Sequence, residues 1–219
     1  MIAGRVFRYL REEGLRRSLS SGYSVLWFLL CRKRFKVAGR AVLKGSFRFL
    51  GKSHIALGSL TAGERIWIEA VTGYGSQRFF PRLLLGRNLR MTDDVRIGCT
   101  HRVRIGDDVL LGSHILITDH DHGIYSGEAE AHSLPTEPPA LRALTSTGTV
   151  VIEDRVHIGS YVTVCKNVRI GRGAVIGAHS VVTGDIPPYS IAAGIPARVI
   201  STWDSSEGRW YSAERVAHG

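Results

Sequence analysis

Residues 150–185 read, in blocks of six, VVIEDR VHIGSY VTVCKN VRIGRG AVIGAH SVVTGD. An aliphatic residue takes the third place of every block, at Ile152, Ile158, Val164, Ile170, Ile176 and Val182, often with glycine after it. A helix would space its apolar residues by three and four, and an ordinary strand would alternate without a fixed glycine. A strict period of six asks for something else: a short strand and a corner per block, three blocks per coil, each inward aliphatic stacked on its equivalent one coil away. One coil cannot bury its own apolar face, so stability comes from stacking neighbours, as in any solenoid. Upstream the rhythm returns at Leu85, Met91 and Ile97 and at Ile105, Leu111 and Ile117, with one step of eight between Ile97 and Ile105; Leu57 and Ile68 extend it loosely. The fold class is therefore an all-β solenoid over about residues 46 to 200.

Composition agrees with a single principal domain. With 219 residues and 44% hydrophobic content the chain can bury a real core. Cys31, Cys99 and Cys165 are scattered and odd in number, which favours neither a disulfide framework nor a thiolate zinc site and fits a reducing, cytoplasmic compartment. The net charge of +10 is local: residues 1–45 hold eleven Lys/Arg and two acids, leaving eighteen basic against seventeen acidic residues beyond them. That distribution argues against a nucleic-acid partner for the solenoid. In the basic segment the apolar run Val25–Cys31 falls far short of the roughly 20 residues a spanning helix needs. It is not a secretory signal either, since Arg32, Lys33 and Arg34 follow at once with no small-residue cleavage site. With Val6, Phe7, Leu10, Leu15 and Leu19 spaced like one helical face beside Arg8, Arg11, Arg16 and Arg17, residues 1–45 read as a partly helical element at an anionic membrane surface. The alternative is that Trp27, Phe28 and Leu29 cap the main domain. A short tail, residues 201–219, is expected to be helical.

The sixes break between Ile117 and Ile152. Some thirty residues cannot stay inside a stacked prism, so 118–149 leaves it as an excursion, and loops on a rigid scaffold are where function concentrates. The excursion opens with TDHDHGIYSG, two histidines and two aspartates from Asp119 to His122. Such a cluster admits three readings: a polar turn, a metal site, or a positioned base with its partners.

The hexapeptides, the eight-residue step, the long excursion ending in PPALRALTSTG and the terminal SVVTGDIPPYSIAAGIPARVI together resemble the hexapeptide-repeat acyltransferases over about residues 55 to 200, most closely the galactoside, maltose and surface-polysaccharide O-acetyltransferases. That resemblance implies a left-handed parallel β-helix, a homotrimer, acetyl-CoA as co-substrate without a metal, and a sugar or glycan acceptor; a lipid-linked acceptor at the inner face of the cytoplasmic membrane would account for the basic, aromatic residues 1–45. It implies a general base five residues after the last inward aliphatic, which is His122, with His120 as the competitor. Asp119 and Asp121 are then candidates to fix the base's tautomer or touch the sugar, with Tyr125 beside them. Asp94 matches a substrate-contacting position and reads equally well as a turn residue. For acetyl-CoA the matching positions are Ser160, Ala178, Thr183, Gly184 and Arg198. Gly184 stands where many relatives carry Lys and His157 where they carry Trp, so phosphate binding would fall to Arg198, Arg172 or the tail. Rival readings are a γ-class carbonic anhydrase built on His114, His120, His157 and His179, whose spacing does not match, and a non-catalytic trimeric scaffold. No nucleotide-binding α/β unit precedes the repeats, which sets aside a sugar nucleotidyltransferase.

Overall fold

A computed structural model describes residues 36, 37, 39, 41–127, 132–145 and 147–212. Of the expected amphipathic element of residues 1–45, residues 1–35, with Cys31 among them, lie outside the described residues, and the described remainder holds the strands Lys36–Val37 and Ala41–Leu43 of the prism. The chain is a left-handed parallel β-helix with three faces. The first is the sheet β1 (Lys36–Val37), β4 (Ile55–Leu57), β9 (Arg82–Leu85), β12 (Arg102–Ile105), β15 (Thr149–Ile152) and β18 (Val168–Ile170). The second runs β2 (Ala41–Leu43), β5 (Leu60–Ala62), β10 (Leu89–Met91), β13 (Leu110–Leu111), β16 (His157–Ile158) and β19 (Val175–Ile176). The third is β3 (Phe47–Leu50), β6 (Ile66–Ala70), β11 (Val95–Cys99), β14 (Ile115–Thr118), β17 (Thr163–Val164) and β20 (Val181–Val182). All pairings within these rungs are parallel, in the register that the sixes require: Ile105 pairs with Ile152 and Ile152 with Ile170, Ile117 with Val164 and Val164 with Val182.

Each of the twelve aliphatic positions of the repeats is buried, and together with Leu43, Phe49, Leu57 and Ile68 they form one continuous core. Two ends depart from the expectation. The rungs begin at Lys36, upstream of residue 46. The tail is not helical where it is described: β21 (Ser190–Gly194), β22 (Ala197–Asp204) and β23 (Arg209–Ser212) form an antiparallel meander that extends the second sheet. Along the start of β22 burial alternates, Ala197 buried and Val199 half-buried against the exposed Arg198 and Ile200, as on a strand that continues a sheet edge.

Corners decide where the site lies. The steps of eight from Phe49 to Leu57 and from Ile97 to Ile105, the step from Ile68 to Leu85 and the excursion from Ile117 to Ile152 all fall at the corner between the third and first faces. The other two corners stay tight through the same coils. One edge of the prism therefore carries a wall of insertions: a 3-10 turn at Lys52–His54, the hairpin β7 (Gly73–Tyr74) and β8 (Gln77–Arg78), the pair Thr100–His101, and the long loop.

Candidate functional site

Asp119 is the first residue of the excursion to leave β14, and it turns inward. Its side chain is fully buried and accepts five hydrogen bonds: from the Thr100 N–H (2.8 Å) and hydroxyl (3.0 Å), from the N–H groups of His101 and Arg102 (both 2.8 Å), and from His120 Nδ1 (2.9 Å). The eight-residue step explains this cradle, because its two extra residues, at Thr100 and His101, turn consecutive backbone N–H groups toward one point. Burial alone would raise the carboxyl's pKa; the His120 bond and the backbone donors outweigh it and hold the group below the ordinary carboxylate range.

An ionised carboxylate only accepts, so the proton of the His120–Asp119 bond sits on Nδ1 and Nε2 keeps its lone pair. The imidazole is largely buried and is also braced by Thr118 Oγ1, 3.2 Å from Nδ1. Gly98 makes room for it: a Cβ built there would lie 3.2 Å from His120 Cε1. The ring thus rests on the outer face of the third sheet.

His122 stands differently. It is exposed, it packs edge-on against Tyr74 with centroids 5.2 Å apart, and among the described residues its ring has no carboxylate partner. Its backbone carbonyl accepts from Tyr125 Oη (2.6 Å), which in turn accepts from Arg142 Nη1 (3.0 Å). Asp121 pairs with Lys166 at 2.7 Å, while its backbone exchanges bonds with Thr145. Tyr125 and Asp121 are therefore fasteners of the loop. Sequence reasoning missed the other fasteners. Gln77 binds both sides of Leu144, Nε2 to its carbonyl (3.0 Å) and Oε1 from its N–H (2.7 Å); Tyr74 Oη donates to Ala140 O; His101 Nδ1 donates to Gly148 O (2.9 Å). At Gly148 the chain passes so close to Asp119 that an added Cβ would stand 1.8 Å from the Asp119 carbonyl oxygen.

Asp94 lies at the opposite corner of the third face, before β11, with the His120 ring over Gly98 near the far end of that five-residue strand. There it belongs to a column of residues with positive φ, Arg65, Asp94, His114, Tyr161 and His179. Arg65 grips Asp94 with two 2.6 Å bonds, His114 Nε2 stands 3.5 Å from its carboxylate, and Tyr161 is stacked between His114 and His179 at 4.4 and 4.7 Å. The Arg65 hydrogen bond is the main reason the Asp94 carboxyl is held below its usual range. Ser160 and Ala178 sit on the same corner, Ser160 Oγ accepting from the Ser113 N–H at 3.2 Å. Thr183 and Gly184 lie exposed on the site's own edge, just past β20, with Thr183 in the line that runs from Gly98 through Thr118 and Cys165. Arg198 projects from β22 and Arg172 is committed to Asp154 at 3.0 Å. Burial raises the thiol pKa values of Cys99 and Cys165, with Asp119 and Asp121 adding to it respectively, so neither is a ready nucleophile. Among the described residues no three His, Cys, Asp or Glu side chains are grouped to hold a metal ion.

Such a surface, a buried carboxylate orienting an imidazole whose other nitrogen is free, can take a proton from a bound hydroxyl. A family model described as bacterial transferase hexapeptide (six repeats) matches residues 149–184. The chain is 40% identical over 126 residues to the Escherichia coli (strain K12) protein named "Putative lipopolysaccharide biosynthesis O-acetyl transferase WbbJ", covering 58% of this chain and 63% of that relative, just under two thirds of its length. It is 32% identical over 156 residues to the galactoside O-acetyltransferase of the same organism, covering 69% of this chain and 68% of the relative. Among solved structures, a variant of AntD, an N-acyltransferase from Bacillus cereus in complex with dTDP-4-amino-4,6-dideoxyglucose and coenzyme A, superposes with a TM-score of 0.61 at 17% identity over 83% of this chain and 91% of that one, a likeness of fold.

Proposed function

The chain belongs to the hexapeptide-repeat acetyltransferases, and from that premise we propose that it transfers acetyl from acetyl-CoA to a hydroxyl of a sugar in a surface polysaccharide, lipopolysaccharide or lipid-linked precursor, with His120 as general base. The observation that carries the choice of base is the Asp119–His120 pair, buried at the carboxylate and open at Nε2. In this reading Nε2 takes the hydroxyl proton as the sugar oxygen attacks the thioester carbonyl. Asp119 steadies the imidazolium that forms. The carbon–sulfur bond then breaks, and the imidazolium returns its proton to the departing thiolate. No covalent enzyme intermediate is needed, in keeping with two cysteines whose thiols are held protonated.

His122, five residues after Ile117, is the base that the family spacing implies; its exposed ring on Tyr74 suits a contact to the acceptor better than proton transfer. For acetyl-CoA, Thr183 and Gly184 line the edge beyond Cys165, and nothing stands within 4 Å of a Cβ added at Gly184. Arg198, which has no carboxylate partner among the described residues, is the cation we assign to a CoA phosphate. The active species is a homotrimer. Residues 1–35 bring it to an anionic cytoplasmic membrane surface, where a lipid-linked acceptor resides.

Calorimetric titration with acetyl-CoA, followed by a thiol-release assay over a panel of sugar acceptors, tests the reading. Saturable acetyl-CoA binding and acceptor-dependent thiol release are expected. A protein that binds no acetyl-CoA would refute it.

A further inference from the structure

On the outer surface of the third sheet, one column of residues is built unlike the rest. Arg48 on β3, Trp67 on β6 and Arg96 on β11 stand in register on successive strands. The Trp67 ring is flanked by both guanidinium groups, whose carbons lie 4.9 Å (Arg48) and 4.3 Å (Arg96) from its centroid. The indole is itself fixed, its Nε1–H donating to Glu69 Oε2 at 3.1 Å. Four arginines of the prism are committed to carboxylates, Arg65 with Asp94, Arg87 with Asp107, Arg169 with Glu153 and Arg172 with Asp154; what sets Arg48 and Arg96 apart is the tryptophan between them. Neither has a carboxylate within ion-pair distance among the described residues, and both are exposed.

We propose that Arg48 and Arg96 bind the diphosphate that links the acceptor sugar to its carrier, beside His120. This rests on the transferase reading and names its substrate class. Held over the ring, the guanidinium groups make no ion pair among the described residues and keep N–H groups for a ligand, and such groups grip phosphate oxygens in pairs. The two guanidinium carbons are at most about 9 Å apart, a gap that two adjoining phosphates bridge with one arginine each. So placed, both side chains are already ordered, so less freedom is lost on binding. The next outward residue of β11 after Arg96 is Gly98, over which the His120 ring sits. Positions two apart on a strand are about 7 Å apart, the span of one sugar ring. Glu69, in register with Gly98, adds a carboxylate on the base's side of the column; it keeps the phosphates on the arginine side and offers an acceptor to sugar hydroxyls.

Pyrophosphate is the probe, titrated calorimetrically into full-length protein saturated with CoA, so that the cofactor's own phosphates are already in place. Saturable binding is expected, weakened tenfold or more in Arg48→Ala and in Arg96→Ala and unchanged in Arg90→Ala, an exposed arginine on the second face. All three variants should keep wild-type acetyl-CoA affinity, which also reports their folding. Failure of wild-type protein to bind pyrophosphate while it binds acetyl-CoA would overturn this inference and leave the transferase reading standing. So would equal weakening by Arg90→Ala, or weakened acetyl-CoA binding in Arg48→Ala or Arg96→Ala, which would assign the column to the cofactor. Absence of acetyl-CoA binding in the wild type removes the transferase reading, and this inference with it.

Discussion

Asp119 joins the solenoid to its chemistry. Replacing it with Asn keeps the shape but presents an NH2 group to donors that need an acceptor, and it loses the charge that orients His120. We expect Asp119→Asn to lower kcat by roughly 10²–10⁴-fold, in the range seen when a triad aspartate is replaced, with the acetyl-CoA dissociation constant little changed. The same residue sets an acid limit. Its folded pKa lies below the unfolded value of about 3.9, so its stabilisation is complete above that pH and is lost as pH falls through the lowered folded value. Stability of Asp119→Asn measured by urea unfolding should therefore converge toward the wild type as pH drops below about 4; a constant gap would contradict the assignment. Gly98→Ala tests the seat of the imidazole: with 3.2 Å between the new Cβ and His120 Cε1, the ring must shift. Turnover should fall more than thermal stability does. The DHDH cluster reads from the sequence as a candidate site. Which histidine a buried carboxylate orients does not, because that turns on Asp119 meeting the N–H groups of Thr100, His101 and Arg102, contacts across seventeen to nineteen residues that no local pattern announces.

Among the elements, the period of six fixed the strands and their register so fully that every inward residue read from it is buried. Ile158, with no exposed surface in β16, should cost about 2–5 kcal/mol when cut to Ala, measured by denaturant unfolding; a loss under about 0.5 kcal/mol would speak against a stacked core. The insertions were only half legible. The excursion and the eight-residue step interrupt the rhythm visibly, whereas the hairpin β7–β8 lies in a stretch where the sixes are already loose. That hairpin matters because Gln77 supplies both partners of the Leu144 backbone. In Gln77→Ala the buried Leu144 N–H loses its acceptor, a penalty of about 1–3 kcal/mol, so its amide should exchange about tenfold faster or more. Unchanged protection would show that the loop is held elsewhere. The tail reads otherwise for a plain reason: Ala197–Asp204 carries no polar–apolar alternation, and only the edge of the second sheet, offered by β21, makes it a strand.

At the scale of the molecule, the corners sort the surface into a wall of insertions on one edge and a tight, ring-stacked column on another, with the third face between them. Asp94, Asp119, His120, Ser160, Ala178 and Thr183 lie along the two edges of that face, whereas Arg172 sits at the corner between the other two faces and Arg198 projects from the meander. Asp94 and His120 are held at its two ends, so within one chain they do not form one pocket. The basic segment belongs to this scale too. Deleting residues 1–35 should abolish partition to anionic liposomes and leave acetyl-CoA binding intact; undiminished partition would remove the membrane assignment. The most direct test of the whole account compares thiol release from acetyl-CoA by the His120→Ala and His122→Ala variants, each shown by calorimetry to bind acetyl-CoA. The account expects His120→Ala to lose turnover by 10²-fold or more while His122→Ala keeps most of it or changes chiefly the acceptor KM; full activity in His120→Ala with loss in His122→Ala would contradict it.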